Sequence, residues 1–404
     1  MKLAKMSLVA ALLLGVNAYA VDNVKVNGDA RAFYETADSD AAGASDIFNK
    51  GASGADFALR LGVTADLSEG VSAGATFNAV STLGVENNLV SGVWSGAHDV
   101  TGAQVDDSSF FSEAWIAGTS GKTTAKLGRQ ALDTPFAFTE TWGITDNTFE
   151  AIVLINQDLA DTTLVGTYIG KANGKANDVS SSGLGYITSN GGKFNTFYNG
   201  VYAAGIVNNS IKPLTAQAWY YDLQSVAKAY WLQADYSADG IIAGAQYANL
   251  SADAAAKDNT AYSVMVGYEM KDLATITAAY SSVDEDGSAL GIYNVATGDA
   301  NGGQTKLYTE MWWWYGTVGD RGADSFALSA EGTAGNVDLF LGLYSSSQDT
   351  AALDDTDVNE IALTASKSYG PLDTTVALLW DDIDNETAAD NTITTLQVYL
   401  TYNF

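Results

Sequence analysis

The sequence of 404 residues has no cysteine, three prolines and one histidine. Without cysteine there is no disulfide staple and no thiolate ligand, so backbone pairing and packing must hold the fold alone. The one histidine, His98, sits in a Gly/Ser-rich stretch and provides no metal-spaced pair. A phosphate-cradling glycine loop is absent as well. An enzyme would have to rest on His98 and a serine far away in sequence, whereas a lone loop histidine is more often a surface residue. No cofactor is expected. Basic residues are scarce too: 19 Lys and Arg stand against 48 Asp and Glu, a formal net charge of −29. Phosphate binding needs a basic face, so nucleic acid is excluded as a partner.

Long hydrophobic runs are also missing. Ser7 to Val16 form an apolar stretch, but spanning a bilayer takes about 18 such residues. Lys2 and Lys5 precede it and Ala18-Tyr19-Ala20 follows, the basic, apolar and small-x-small order of a cleavable signal peptide. Residues 1–20 are therefore expected to be removed, leaving 21–404 as one domain with a net charge of about −31. Past residue 20 no run approaches a transmembrane helix. A chain that enters a membrane without one must close into a barrel, because only helices and barrels pair every backbone N–H and C=O away from water.

What the sequence has in quantity is alternation. In Phe57 to Leu67 every odd position is apolar, while the even positions include Arg60, Thr64 and Asp66. A soluble sandwich and a membrane barrel share that period; repetition and segment length favour the barrel. About eighteen segments of near ten residues, the span of a tilted crossing strand, fall at 24–36, 55–67, 71–82, 108–119, 122–131, 149–158, 162–171, 198–208 and 214–223. The rest fall at 227–237, 241–250, 260–270, 273–283, 323–331, 336–346, 358–369, 373–381 and 392–404. Short joins such as Ser68-Glu69-Gly70 alternate with long ones at 37–54, 83–107, 132–148, 172–197, 284–322, 347–357 and 382–391. That asymmetry places short turns on the periplasmic side, long loops outside and both termini with the turns. Residues 305–315 are left open between loop and strand.

Prolines agree: Pro135 falls in a long join, Pro213 and Pro371 in short ones, and none inside a strand. Trp219-Tyr220-Tyr221, Tyr230-Trp231, Tyr268, Tyr280, Tyr344 and Trp380 lie near strand ends, where interfacial aromatic girdles or ordinary core aromatics would both put them. At the C-terminus, Leu396, Val398, Leu400, Tyr402 and Phe404 share one face. A terminal amphipathic strand ending on Phe404 resembles the signal that outer-membrane assembly machinery reads. The sequence thus predicts an all-β transmembrane antiparallel barrel of the bacterial outer membrane, bathed in its lipid.

Lys126-Leu127-Gly128-Arg129-Gln130, continuing through Pro135 and Phe136, resembles the segment before the constriction loop of OprD-type porins and of related Campylobacter-type major outer-membrane porins. Asn147 to Ala151 and Asp161 to Leu164 are similar to the strand pair that follows that loop. The resemblance implies an eighteen-stranded channel with loop 132–148 folded inward, passing small hydrophilic solutes, and makes a homotrimer plausible. One departure stands out. Carboxylate-taking channels of the OprD type carry an arginine ladder, and this sequence has only Arg31, Arg60, Arg129 and Arg321.

Selectivity needs charge facing water at a narrow place. Parity puts Lys25, Asp29, Arg31, Glu35, Arg60, Asp66, Asp235, Asp338 and Glu360 on the lumen face. Loop 132–148 adds Asp133, Glu140 and Asp146, whose acids opposite Arg31 and Arg60 would set up a transverse field. Arg129 shares the outward parity of Leu127, through either a bulge or a position beyond the membrane. Acidic clusters at Asp284-Glu285-Asp286, Asp354-Asp355-Asp357 and Asp381-Asp382-Asp384-Glu386 lack defined calcium spacing and read as solvated loop tips. The net charge serves either solubility or cation attraction. The expectation is a passive, cation-preferring porin; a solute-specific channel and an adhesin or structural barrel are the alternatives.

Overall fold

The computed structural model describes residues 22–93, 108–141, 143–174, 192–287, 290–298, 302–349, 356–385 and 389–404. The expected signal peptide, His98, Asp354, Asp355 and Glu386 lie outside the described residues. In chain order the strands begin with β1 (Asp22–Ser39), β2 (Ser53–Ser68), β3 (Val71–Val80), β4 (Gly92–Val93), β5 (Ser108–Ser120), β6 (Thr123–Gln130) and β7 (Phe149–Asn156). Next come β8 (Thr162–Ala172), β9 (Asn195–Asn208), β10 (Leu214–Leu223), β11 (Ala227–Ala238), β12 (Ile241–Ala252) and β13 (Asn259–Met270). The last are β14 (Ala274–Val283), β15 (Ala323–Ala334), β16 (Val337–Gln348), β17 (Thr356–Tyr369), β18 (Leu372–Asn385) and β19 (Asn391–Asn403).

All eighteen expected strands are present, with bounds within about four residues of the expected ones. The extra element, β4, adds two residues in parallel to β2. Every other strand pairs antiparallel with its neighbour, and β1 pairs with both β2 and β19, so the sheet closes. Residues 305–315 contain no strand; a short 3-10 turn, Tyr315–Thr317, begins at their end.

Parity sorts the walls as alternation predicts. Leu59, Ile152, Val266, Tyr268 and Leu378 face outward, with Val266 63% and Tyr268 53% exposed. Side chains of that kind in a soluble sandwich would be core, so an exposed belt of them requires hydrocarbon around the barrel. Inward positions hold Asp29, Asn78, Gln246, Ser263 and Gln397, all buried. The aromatics divide between the two sides. Tyr220, Tyr230, Tyr268, Tyr280 and Trp380 are outward and exposed. Trp219, Tyr221 and Trp231 instead have inward parity and are buried, and Tyr344 shares that parity, half-buried. For these four the girdle expectation fails, because the lumen contains loops for them to pack against.

The closing ladder runs from Asp29↔Asn403 to Ser39↔Ile393, and Phe404 extends it by one step. Gly28 N–H donates to the Phe404 carbonyl and Phe404 N–H to the Gly28 carbonyl, each at 2.9 Å. The Phe404 ring lies over Gly28, where a Cβ would stand 2.5 Å from the Arg60 carbonyl oxygen and 2.7 Å from that ring. No side chain fits there. Gly28→Val should therefore cost about 2 kcal/mol through overpacking at the seam, read as a lower midpoint in urea unfolding of the refolded barrel. An unchanged midpoint would mean that the seam has slack the geometry does not show.

Candidate functional site

The candidate site is the lumen at the long-loop end, and it begins with the sequence Gly128-Arg129-Gln130. Gly128 has φ +119°, and a Cβ there would lie 2.2 Å from the Ala114 carbonyl oxygen. Only glycine allows the strand to bend so close to its neighbour. Gln130 is buried and its Nε2 donates to the Ala151 carbonyl at 3.1 Å. Between them Arg129 points outward in line with Leu127, with no register shift in β6. Its guanidinium bonds Glu150 at 3.0 Å and stacks 4.2 Å from the Phe194 ring. Of the two accounts of its parity the bulge is ruled out: Arg129 is an outer-rim residue at the strand end.

From there the chain enters the lumen. Leu132 and Thr139 join by a 2.8 Å backbone bond, making a small hairpin with Pro135 and Phe136 at its tip. Phe136 is fully buried, edge-on to Tyr221 at 5.5 Å and to Trp231 at 5.6 Å. The inward aromatics of β10 and β11 thus seat the tip. The far end of the loop is held by charge. Asp146 bonds Arg31 at 3.0 Å and Arg60 at 2.5 Å, while Asp29 bonds Arg31 at 3.1 Å and Arg60 at 2.7 Å. The four side chains are 13–20% exposed. Two guanidiniums and two carboxylates form a neutral square that fastens the loop to β1 and β2. The expected field across a gap is replaced by direct contact.

A second inward loop, 284–322, was not foreseen. Val295 N–H donates to the Phe136 carbonyl at 2.9 Å, and Asn294 Nδ2 donates to the Phe138 carbonyl at 2.8 Å and to Glu140 at 3.0 Å. Thr297 also donates to Glu140. Glu140 is therefore a buried clasp between loops. Asp133 is exposed and pairs with Lys306 at 2.9 Å. The loop then crosses the barrel, with the Tyr308 hydroxyl on Asp235 and its N–H on Gln246. Trp312, Trp313 and Trp314 bring their backbone N–H groups to Glu360 at 2.7, 2.9 and 2.9 Å. The run Met311-Trp312-Trp313-Trp314-Tyr315 marks this limb in the sequence, and periodicity gives no sign of where it goes.

The remaining lumen candidates are scattered. Glu35 is buried beside Gln397, its cross-strand partner. Lys25 is exposed near the turn end, where Asp66 accepts from Asn23 at 2.6 Å. Asp338 accepts from Thr333 at 2.6 Å and lines a concavity of about 660 Å³ with Glu269, Glu331 and Phe340.

Loop 284–322 also buries Glu310, which no sequence pattern marked. Burial and then the nearby Glu140 raise its carboxyl well above the usual carboxylate range, against the Thr305 N–H, the Gln304 side chain and Lys306. Tyr344 of the wall also faces it. An acid whose pKa is raised by docking leaves docking untouched below the ordinary carboxylate range and weakens it as pH climbs toward the raised value. The loop junction should therefore loosen on alkalinisation, seen as growing current noise in a bilayer recording. Glu310→Gln, which keeps an acceptor for Thr305, should abolish that pH dependence. Separately, Asp146→Asn leaves two arginines short of a charge, and at this partial burial should cost roughly 2 kcal/mol, measured by urea unfolding. Loss of under a few tenths would show that the square is not an anchor.

A closed barrel with an apolar outer wall, a polar lumen and an inward loop is the architecture of an outer-membrane channel. The chain belongs to the Gram-negative porin family, whose model matches residues 7–311. Among solved structures it is similar to OccK8 (OprE) of Pseudomonas aeruginosa, at 15% identity over 96% of this chain and 100% of that one, TM-score 0.69. Similar too is OccAB4 of Acinetobacter baumannii, at 11% identity over 96% and 100%, TM-score 0.69. OccK9 (OpdG) of Pseudomonas aeruginosa follows at 15% over 95% and 99%, TM-score 0.68. No curated protein matches the chain at a significant level. The expected likeness to OprD-type porins is borne out in fold, and the outer membrane is the location.

Proposed function

We propose that the protein is a passive diffusion channel for small hydrophilic solutes that prefers cations, with loops 132–148 and 284–322 narrowing its lumen. One observation carries the preference. Arg31 and Arg60 are neutralised by Asp29 and Asp146, whereas Glu269, Glu331 and Asp338 line an open concavity in which no basic side chain takes part. Solutes therefore meet uncompensated carboxylates, which lower the energy of cations in the pore. The hydroxyls of Thr275, Thr333 and Ser366 in that concavity, beside the Phe340 ring, favour a second reading, a solute-specific channel. Saturable flux or block of ion current by a solute marks it. The proposal includes cleavage after Ala20, delivery of the Phe404 strand to assembly machinery, and a trimer as the working oligomer.

The test is single-channel recording of refolded protein in a planar bilayer under a KCl gradient. Large ohmic steps with a reversal potential toward K⁺ are expected. A reversal potential toward Cl⁻ would overturn the cation preference. Silence from a correctly folded barrel would overturn the channel and leave a surface-adhesion or structural role.

A further inference from the structure

Resting on that channel reading, we propose that Glu360 is a positioning residue of the pore: its carboxylate holds the Trp312–Trp314 limb of loop 284–322 against the barrel wall and thereby sets the width of the conducting path. Parity alone made Glu360 a lumen charge facing solutes. Its surroundings give it another task. It is 1% exposed, and among the described residues no Lys or Arg forms an ion pair with it. Its cross-strand neighbours are Tyr344 on β16 and Asp381 on β18, and the second of these is itself an acid. A carboxylate taken out of water without a cation has to be compensated by donors. Here the donors are three successive backbone N–H groups from the loop, one on Oε1 and two on Oε2. Hydrogen bonds to a charged acceptor are about twice as strong as neutral ones, so the cheapest state of Glu360 is the one with the loop docked.

Glu360 takes the polar backbone of the limb, while Trp312 and Trp313 pack their rings against Ala362, Ala377 and Leu379 of the same wall. The Trp312 indole N–H reaches Gln397 at 3.3 Å, and its ring packs 6.0 Å from that of Phe340. Upstream, the same loop carries Tyr308 to Asp235, Lys306 to Asp133 and Asn294 to Glu140. Release at Glu360 therefore frees one end of a strap whose other end is clasped to loop 132–148.

Two substitutions separate a latch from a pore charge. Glu360→Asp keeps the charge but draws the carboxylate back by one methylene; Glu360→Gln keeps the reach but loses the charge. The readouts on the purified protein are single-channel conductance and noise, reversal potential, and the rate of trypsin cleavage after Lys306 and Arg321. A latch predicts larger, noisier steps for both variants. It also predicts cleavage faster by about tenfold or more, the factor for one lost charged hydrogen bond, since cleavage tracks the undocked population. A solute-facing charge predicts instead that Glu360→Asp behaves as wild type and Glu360→Gln only shifts the reversal potential; that outcome overturns the proposal. Should either variant fail to fold, Gln397→Ala gives a milder release and should move both readouts the same way. Wild-type silence with protease sensitivity raised in the variants would sink the channel reading and keep the latch, so the two failures are distinguishable.

Discussion

Everything in this structure follows from the requirement that each backbone N–H and C=O have a partner where no water can supply one. A sheet meets it only by closing, and closing needs the first and last strands to meet in register. The chain manages this with the β1–β19 ladder, which ends with Phe404 lying over Gly28 and mutual 2.9 Å bonds. Once the ring is closed, the outer wall is free to be as apolar as its alternating sequence makes it. An exposed leucine or tyrosine on that wall is then a membrane contact and costs nothing.

The same closure turns the usual arrangement inside out. With the outside given to lipid, the only place left for a packed core is the lumen, and the loops supply it. Phe136 against Tyr221 and Trp231 is core packing in every respect, built from a loop tip and two strands. The polar groups that hold the loops follow the rule for buried polarity elsewhere, by pairing or by capping. The Asp29–Arg31–Arg60–Asp146 square pairs charges of both signs. Glu140 and Glu360 are capped by amide and hydroxyl donors.

How much of this was legible in the sequence depends on the range of the interaction. Strand facing is local, since each residue's side is set by its neighbours two positions away, and eighteen repetitions made it readable. The inward turn at 132–148 was readable through a resemblance, and Gly128 and Gln130 now give that motif a physical cause. Loop 284–322 was not readable. Its destination is fixed by partners such as Asn294 and Phe138, 156 residues apart, and no period within the loop encodes that. The misassigned aromatics fail for the same reason: Trp231 and Tyr230 differ by one position, and only the presence of a loop inside decides that the inward one is buried. Arg129 is the opposite case, where parity was right and only its meaning was open.

Parity, then, tells which way a carboxylate points but not what it does. Of the lumen acids, Asp29, Asp146, Glu140, Asp235 and Glu360 each take part in holding a loop. The acids without such a commitment, Asp338 with Glu269 and Glu331, stand at the other end beside the short turns. Their field is screened over about 8–10 Å at physiological salt, so it acts on ions that pass within that distance of the concavity. The net charge of −29 therefore overstates what a passing ion feels. On the proposed reading, width is set by buried carboxylates and charge by exposed ones, at different depths, so a substitution that alters one need not disturb the other.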